Sequence, residues 1–224
     1  MSTKVKYGKF ITFEGGEGSG KSTQVQMLAQ WLETQGIEAI TTREPGGAPS
    51  AELIRSLLVE GAVDRWQPIS EVLLHNAART EHLANTVIPA LKSAQWVISD
   101  RYADSTMAYQ GYAHGFNRDI IKRIHRAATG DLTPDLTLVL DVSVETGLVR
   151  AGKRNAGEDS SGEDRYERMG SDFHERVRAG FLDIAKSAPE RCYVIDAEQD
   201  PGTVSDQIVK AVSAHLRDRQ RDNL

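Results

Sequence analysis

Residues 15–22 read GGEGSGKS, which fits the phosphate-loop pattern G-x-x-x-x-G-K-[ST] at every fixed position. The preceding run Phe10-Ile11-Thr12-Phe13 is short, apolar and β-prone, while Val25, Leu28, Ala29 and Leu32 recur at helical spacing. Strand, glycine loop and helix in that order confine the chain to α/β folds that cradle a nucleoside triphosphate. Gly15, Gly16, Gly18 and Gly20, with Glu17 and Ser19 between them, let backbone N–H groups converge on a phosphate where a Cβ would collide. Lys21 would reach the β- and γ-phosphates. The hydroxyl of Ser22 would complete a Mg²⁺ shell, because a hard divalent cation prefers oxygen ligands. The competing reading is a plain strand-to-helix turn with Lys21 in solvent.

Five β-like runs recur, Phe10 to Phe13, Glu38 to Thr41, Trp96 to Ser99, Leu136 to Leu140 and Cys192 to Ile195, separated by stretches of helical periodicity. That alternation predicts a three-layer α/β fold of the phosphate-loop NTPase type, a five-stranded parallel sheet flanked by helices. Three runs end in an acid, at Glu14, Asp100 and Asp141, and ligands collect at the carboxyl ends of such strands. The 224 residues are read as one domain. Residues 151–168, AGKRNAGEDSSGEDRYER, hold no core-forming run and are read as a mobile lid rather than a linker. Val204, Ile208, Val212 and Leu216 outline a final helix, and residues 217–224 a charged tail that frays.

Two further constellations carry chemistry. Asp100 and Arg101 follow directly on the third strand, where the acid can hold the Mg²⁺ hydration shell and the guanidinium can fork onto a phosphate. A surface salt bridge is the alternative for such a pair. Thr42 to Gly47, TREPGG, closes the second strand with a turn for which Pro45 and Gly46 suffice. Arg43 could meet an acceptor phosphate there. His75 and Arg79 stand four residues apart and share a helix face.

A formal charge of −5 argues against a protein that coats nucleic acid. The lone Cys192 forbids an intramolecular disulfide, and no apolar stretch has the length of a membrane span. The expectation is a soluble cytoplasmic protein with neither nucleic acid nor membrane as partner.

Taken in order, GGEGSGKS, TREPGG, LLHNAAR and DRYADSTMAYQG closely resemble the motifs of the bacterial thymidylate kinases over nearly the whole chain. The resemblance implies transfer of the γ-phosphate of ATP to thymidine monophosphate (dTMP) with Mg²⁺, by a homodimer. Glu17 matches a carboxylate near the acceptor's 3′-hydroxyl, and Arg43 and Arg101 match arginines near its phosphate. Arg79 matches the arginine that hydrogen-bonds thymine, Tyr109 the tyrosine under the sugar with Gln110 beside it, and Arg55 a basic position lining the acceptor pocket. The chain departs from relatives in placing His75 where a phenylalanine stacks on thymine. At Gly18 some relatives carry arginine, and those without it draw catalytic arginines from the lid, where Lys153, Arg154 and Arg165 are available. Lys21, Mg²⁺ and Arg101 are then expected to align the two phosphates, with Arg154 or Arg165 closing on the transferring group.

Three other readings compete, one of them a regulatory subunit that binds ATP without turnover, against which the presence of both Asp100 and Arg101 argues. A GTPase switch needs an N-K-x-D signature, and no lysine here is followed two residues later by aspartate. The stronger rival is a kinase for deoxyuridine monophosphate or a modified pyrimidine monophosphate, or a deoxynucleoside kinase, which a comparison of monophosphate with nucleoside acceptors separates.

Overall fold

The computed structural model describes residues 7–130, 132–155 and 164–221. Its sheet holds β1 (Phe10–Glu14), β2 (Ala39–Arg43), β3 (Trp96–Asp100), β4 (Leu136–Asp141) and β5 (Cys192–Asp196), all parallel in the order β2-β3-β1-β4-β5. Each strand runs one or two residues beyond its apolar run, because the ladder carries the terminal acid or arginine along. Asp100 thereby pairs in register with Phe13 on one side and Arg43 on the other. Every residue of β1 is buried, as expected of a central strand covered on both faces. Chain order reverses around β1, so the crevice at its carboxyl end opens at the phosphate loop.

On one face α1 (Lys21–Thr34) packs beside α9 (Pro201–Arg221), Val25, Leu28 and Leu32 joining Val204, Ile208 and Val212 in one cluster. Full burial of a leucine contributes about 1.5–3 kcal/mol, so this period-3.6 stripe is the reason the helices sit there. On the other face a π-helical segment, Met107–Ala113, packs against α8 (Ser171–Ser187) through Tyr109, Val177 and Phe181. The helices α2 (Pro49–Val59) and α3 (Pro68–His82) pack together beyond β2. The remaining helices are α4 (Ile88–Lys92), joined to α3 through a π-helical turn at Leu83–Val87, α5 (Ala103–Thr106), α6 (Arg118–Thr129) and α7 (Val144–Asn155). Among the described residues no helix is long and apolar enough to cross a membrane.

Two expectations need correction. Residues 151–155 of the expected lid are the last turns of α7, with Ala151 buried, and residues 165–168 form a packed turn. The part between, 156–163, lies outside the described residues. Likewise α9 does not end at the last apolar position but continues to Arg221, since arginine and glutamine propagate a helix without needing a core face.

Candidate functional site

The phosphate loop leaves β1 at Glu14 and enters α1 at Lys21. The Lys21 ammonium lies in the concavity, donating to the carbonyls of Gly15 (3.2 Å) and Gly16 (2.8 Å) and to Ser19 Oγ (3.2 Å). Burial, with Arg101 nearby, pushes it down to about 8 despite the carboxylates of Asp100, Glu17 and Glu14. Gly18 is in the left-handed region at φ +65°, and a Cβ there would lie 1.9 Å from the Gly147 carbonyl oxygen. The root of α7 therefore presses directly on the loop.

Ser22 Oγ donates to Asp100 Oδ2 at 2.8 Å, bringing together the two residues expected to share a metal. Next to it Arg101 holds φ at +72°, a strained conformation for a side-chain-bearing residue that costs on the order of 1–3 kcal/mol. Its guanidinium bridges Gly15 O (2.9 Å), Ser105 Oγ (3.1 Å) and Glu17 Oε1 (3.0 Å), which orients it along the loop. Tyr109 also donates to Glu17 Oε1, at 2.6 Å. Burial opposes ionisation of Glu17, but Arg101, Lys21 and the Tyr109 bond outweigh it and hold the carboxyl at about 2. Glu14, one strand residue before the loop, is pushed up to about 7 by burial and by Asp104.

A cleft of about 110 Å³ opens on the far side of Arg101, between α3, the π-helical segment and the turn at Tyr166. It gathers Glu17, Arg55, His75, Arg79, Arg101, Tyr109 and Gln110, all expected acceptor residues. Arg79 is almost wholly buried and fixed from behind. Its Nε donates to Glu44 Oε2 (2.7 Å), its Nη2 to Tyr102 O (3.2 Å) and Thr106 Oγ1 (2.9 Å), and its Nη1 to Asn76 Oδ1 (3.4 Å). Of its five N–H groups one on Nη1 has no partner among the described residues. Glu44 is held in turn by His82 Nδ1 (2.9 Å), whose Nε2 meets Thr42 Oγ1 at 2.7 Å. Burial works against the Glu44 carboxylate, but Arg79 and His82 keep it below its usual range. Arg55 donates to Pro45 O (2.7 Å), which ties α2 to the TREPGG turn.

His75 Nε2 lies 3.2 Å from the Tyr166 hydroxyl, and the two rings are 6.4 Å apart. Burial, followed by the field of Arg79, Arg165, Arg101 and Arg55, pushes the imidazole down to about 3. It is therefore a flat uncharged ring at neutral pH, which removes the charge that distinguishes histidine from phenylalanine at a stacking position.

Three expected residues stand apart. Arg43 is at the surface, paired with Glu52 Oε2 at 3.1 Å, and does not line the cleft. Arg165 corrects the expectation of a cation free to swing in with a lid: it is fully buried, donating to the carbonyls of Leu58 (3.1 Å), Ala62 (2.9 Å) and Val63 (2.9 Å) and to Glu71. Arg154 belongs to the last turn of α7, and its side chain lies outside the described part.

A second cleft, about 490 Å³, borders the loop at Gly18, Ser19 and Gly20 and is closed by residues 197–201 after β5. Arg150 lines it, donating to Ala197 O (2.9 Å) and Glu198 O (3.3 Å). Sequence reading missed Arg150, as it missed Glu44, Glu71, His82 and Tyr166. A third cavity, about 790 Å³, lies behind the π-helical segment and holds no loop residue, so size alone does not mark the site.

The thymidylate kinase family model matches residues 13–208. The thymidylate kinase of Afipia carboxidovorans is 48% identical over 209 residues, 93% of this chain and 90% of that protein. That of Caulobacter vibrioides is 47% identical over 209 residues, 93% of this chain and 98% of that protein. In three dimensions the chain is similar to the crystal structure of thymidylate kinase from Ehrlichia chaffeensis, at TM-score 0.73 and 35% identity over 92% of this chain and 99% of that one. Together with the loop, the Ser22–Asp100 pair and the cleft beside Arg101, these matches show that the chain belongs to the thymidylate kinase family.

Proposed function

We propose that the chain transfers the γ-phosphate of ATP to dTMP, giving dTDP, and that the cleft beside Arg101 is where dTMP is read. One observation carries the reading of the base. Arg79 offers an N–H and Gln110 Oε1, buried, has no partner among the described residues, so the same cleft wall presents one donor and one acceptor. The edge of thymine presents the complement, a carbonyl oxygen and the N3–H. Cytosine carries an amino group and a lone pair at those positions and leaves both protein groups opposed, which is the discriminating condition. The uncharged ring of His75 supplies a stacking face.

The residues around the phosphates divide the remaining work. Lys21 and the loop amides hold the donor phosphates, and Arg101 lies between loop and acceptor cleft, positioned to neutralise charge shared by the two phosphates. Ser22 and Asp100 present only oxygen donors within 2.8 Å of each other, a set that fits Mg²⁺. Bound there, the cation supplies charge neutralisation on the β- and γ-phosphates. Glu17 stays ionised and receives the Tyr109 hydroxyl, which fixes that ring as a floor for the sugar. The adenine of ATP fits the cleft at Arg150, whose planar guanidinium can stack on a base. Arg154 is assigned, from its place at the end of α7, as the cation that closes on the transferring group.

The working unit is a cytoplasmic homodimer. Leu53 and Leu57 on α2 and Ile69 and Leu73 on α3 are exposed on two helices that pack together, with Leu53 at 75% and Leu73 at 52%. Such a face is a candidate for a two-fold contact. The net charge of −5 supports small nucleotides rather than nucleic acid as partners. A coupled assay of ADP release with dTMP, dUMP, dCMP and GMP as acceptors tests the proposal. Marked preference for dTMP is expected; equal use of dCMP would sink it.

A further inference from the structure

A glutamine side-chain amide is nearly symmetric in shape, so its neighbours decide which end faces a ligand. Gln110 Nε2 donates to Glu71 Oε2 at 2.8 Å and, more weakly, to the Tyr166 hydroxyl at 3.4 Å. That orientation is what leaves Oε1 as the end without a partner among the described residues. Glu71, at 1% exposure, also receives Arg165 Nη2 and the Tyr166 hydroxyl (3.3 Å), and His114 Nε2 stands 3.8 Å away. A carboxylate held by a guanidinium can only accept, so it imposes one direction on every bond it makes.

We propose that Glu71 is a positioning residue for base recognition: by accepting the Gln110 amide N–H it turns Gln110 Oε1 toward the base and so writes an acceptor into the cleft wall. The proposal rests on dTMP occupying this cleft. It explains why a buried carboxylate stands behind the pocket without lining it. With Glu71 in place a flipped Gln110 would aim its carbonyl at a carboxylate, which repels it. Without that constraint the amide can reverse and present N–H, which opposes thymine N3–H and suits the N3 lone pair of cytosine.

Glu71→Gln is the direct test in the full-length chain, since the new carbonyl still accepts from Arg165 while the new amide N–H donates to Gln110 Oε1 and reverses it. KM for dTMP and dUMP is expected to rise together about 10- to 100-fold, the loss of a hydrogen bond of this class, with KM for ATP unchanged. The preference for dTMP over dCMP in kcat/KM should fall by at least the same factor, while the dTMP to dUMP ratio stays fixed because both share one edge. Equal losses on all three acceptors would mean that Glu71 only holds the fold, and unchanged preference would equally overturn the proposal. If Glu71→Gln does not fold, Glu71→Asp decides: it keeps a carboxylate beside Arg165 but draws the acceptor one methylene away from Gln110 Nε2. Preference for dTMP over dCMP should then fall about 2- to 10-fold, and a folded Glu71→Asp chain with unchanged preference would overturn the assignment. A wild-type chain that used dCMP as readily as dTMP would instead overturn the base reading underneath it.

Discussion

Ser22 and Asp100 are 78 positions apart in the chain, yet the serine hydroxyl donates to the carboxylate across 2.8 Å. The bond ties the first turn of α1 to the tip of β3. It brings a hydroxyl and a carboxylate oxygen together beside Lys21. Asp100→Asn keeps the shape and removes the one negative charge of the pair, so the Mg²⁺ concentration for half-maximal rate should rise about 10- to 100-fold. Titrating turnover with Mg²⁺ checks this, and an unshifted midpoint would show that Asp100 does not serve the cation. Chelation by EDTA should abolish turnover in the wild-type chain and leave its unfolding curve unchanged.

Arg165 gives the sharpest separation between structure and chemistry. Its guanidinium is committed to carbonyls of Leu58, Ala62 and Val63 and to Glu71, so Arg165→Ala leaves a buried carboxylate without its guanidinium partner. Breaking a pair of this kind costs about 3–5 kcal/mol. Urea unfolding should show that loss. An arginine acting only on the transferring phosphate would instead leave stability intact and lower the rate by about 10³ to 10⁵.

His75, held at about 3, has a pH signature of defined sign. An unfolded imidazole titrates near 6.5, so below that pH the unfolded chain takes up a proton that the folded chain refuses. The His75 contribution is complete above about pH 6.5 and is lost as pH falls toward 3, at up to about 1.4 kcal/mol per pH unit. His75→Phe should therefore gain on the wild type as pH is lowered from 6.5 to 4.5 in urea melts, while its KM for dTMP stays within a few-fold because a flat ring remains. Parallel stability curves would mean that the imidazole titrates normally.

The exposed leucines of α2 and α3 predict an association that single charges can break. Leu73→Glu places a carboxylate on that exposed apolar surface, which a two-fold contact would have to bury twice. Sedimentation velocity should show the wild type as a dimer and the variant as a folded monomer. A wild-type monomer at micromolar concentration would dispose of the contact.

Strands and loop were legible because each is written locally: apolar runs for the sheet, glycines and Lys21 for the phosphate site. The acceptor cleft was legible only through resemblance. Glu71 sits in the run PISEVLLHNAARTEH, where it looks like one of several polar residues on a helix surface, and its partner Arg165 lies 94 positions on in a stretch that reads as solvated charge. No local pattern announces that two such residues will bury one another. Arg43 shows the converse: it ends β2, as expected, and pairs in register with Asp100, but Glu52 on α2 holds it at the surface.

The contact between Gly18 and Gly147 bears on how this enzyme could be re-engineered. A loop carrying arginine at position 18 would thrust its first carbon into a main-chain oxygen of α7, an obstacle no rotamer change relieves. Grafting such a loop onto this scaffold would therefore import a collision along with the charge, unless the start of α7 were re-routed as well. Whether position 18 can carry a cation is, on this geometry, decided by the clearance between two stretches of backbone.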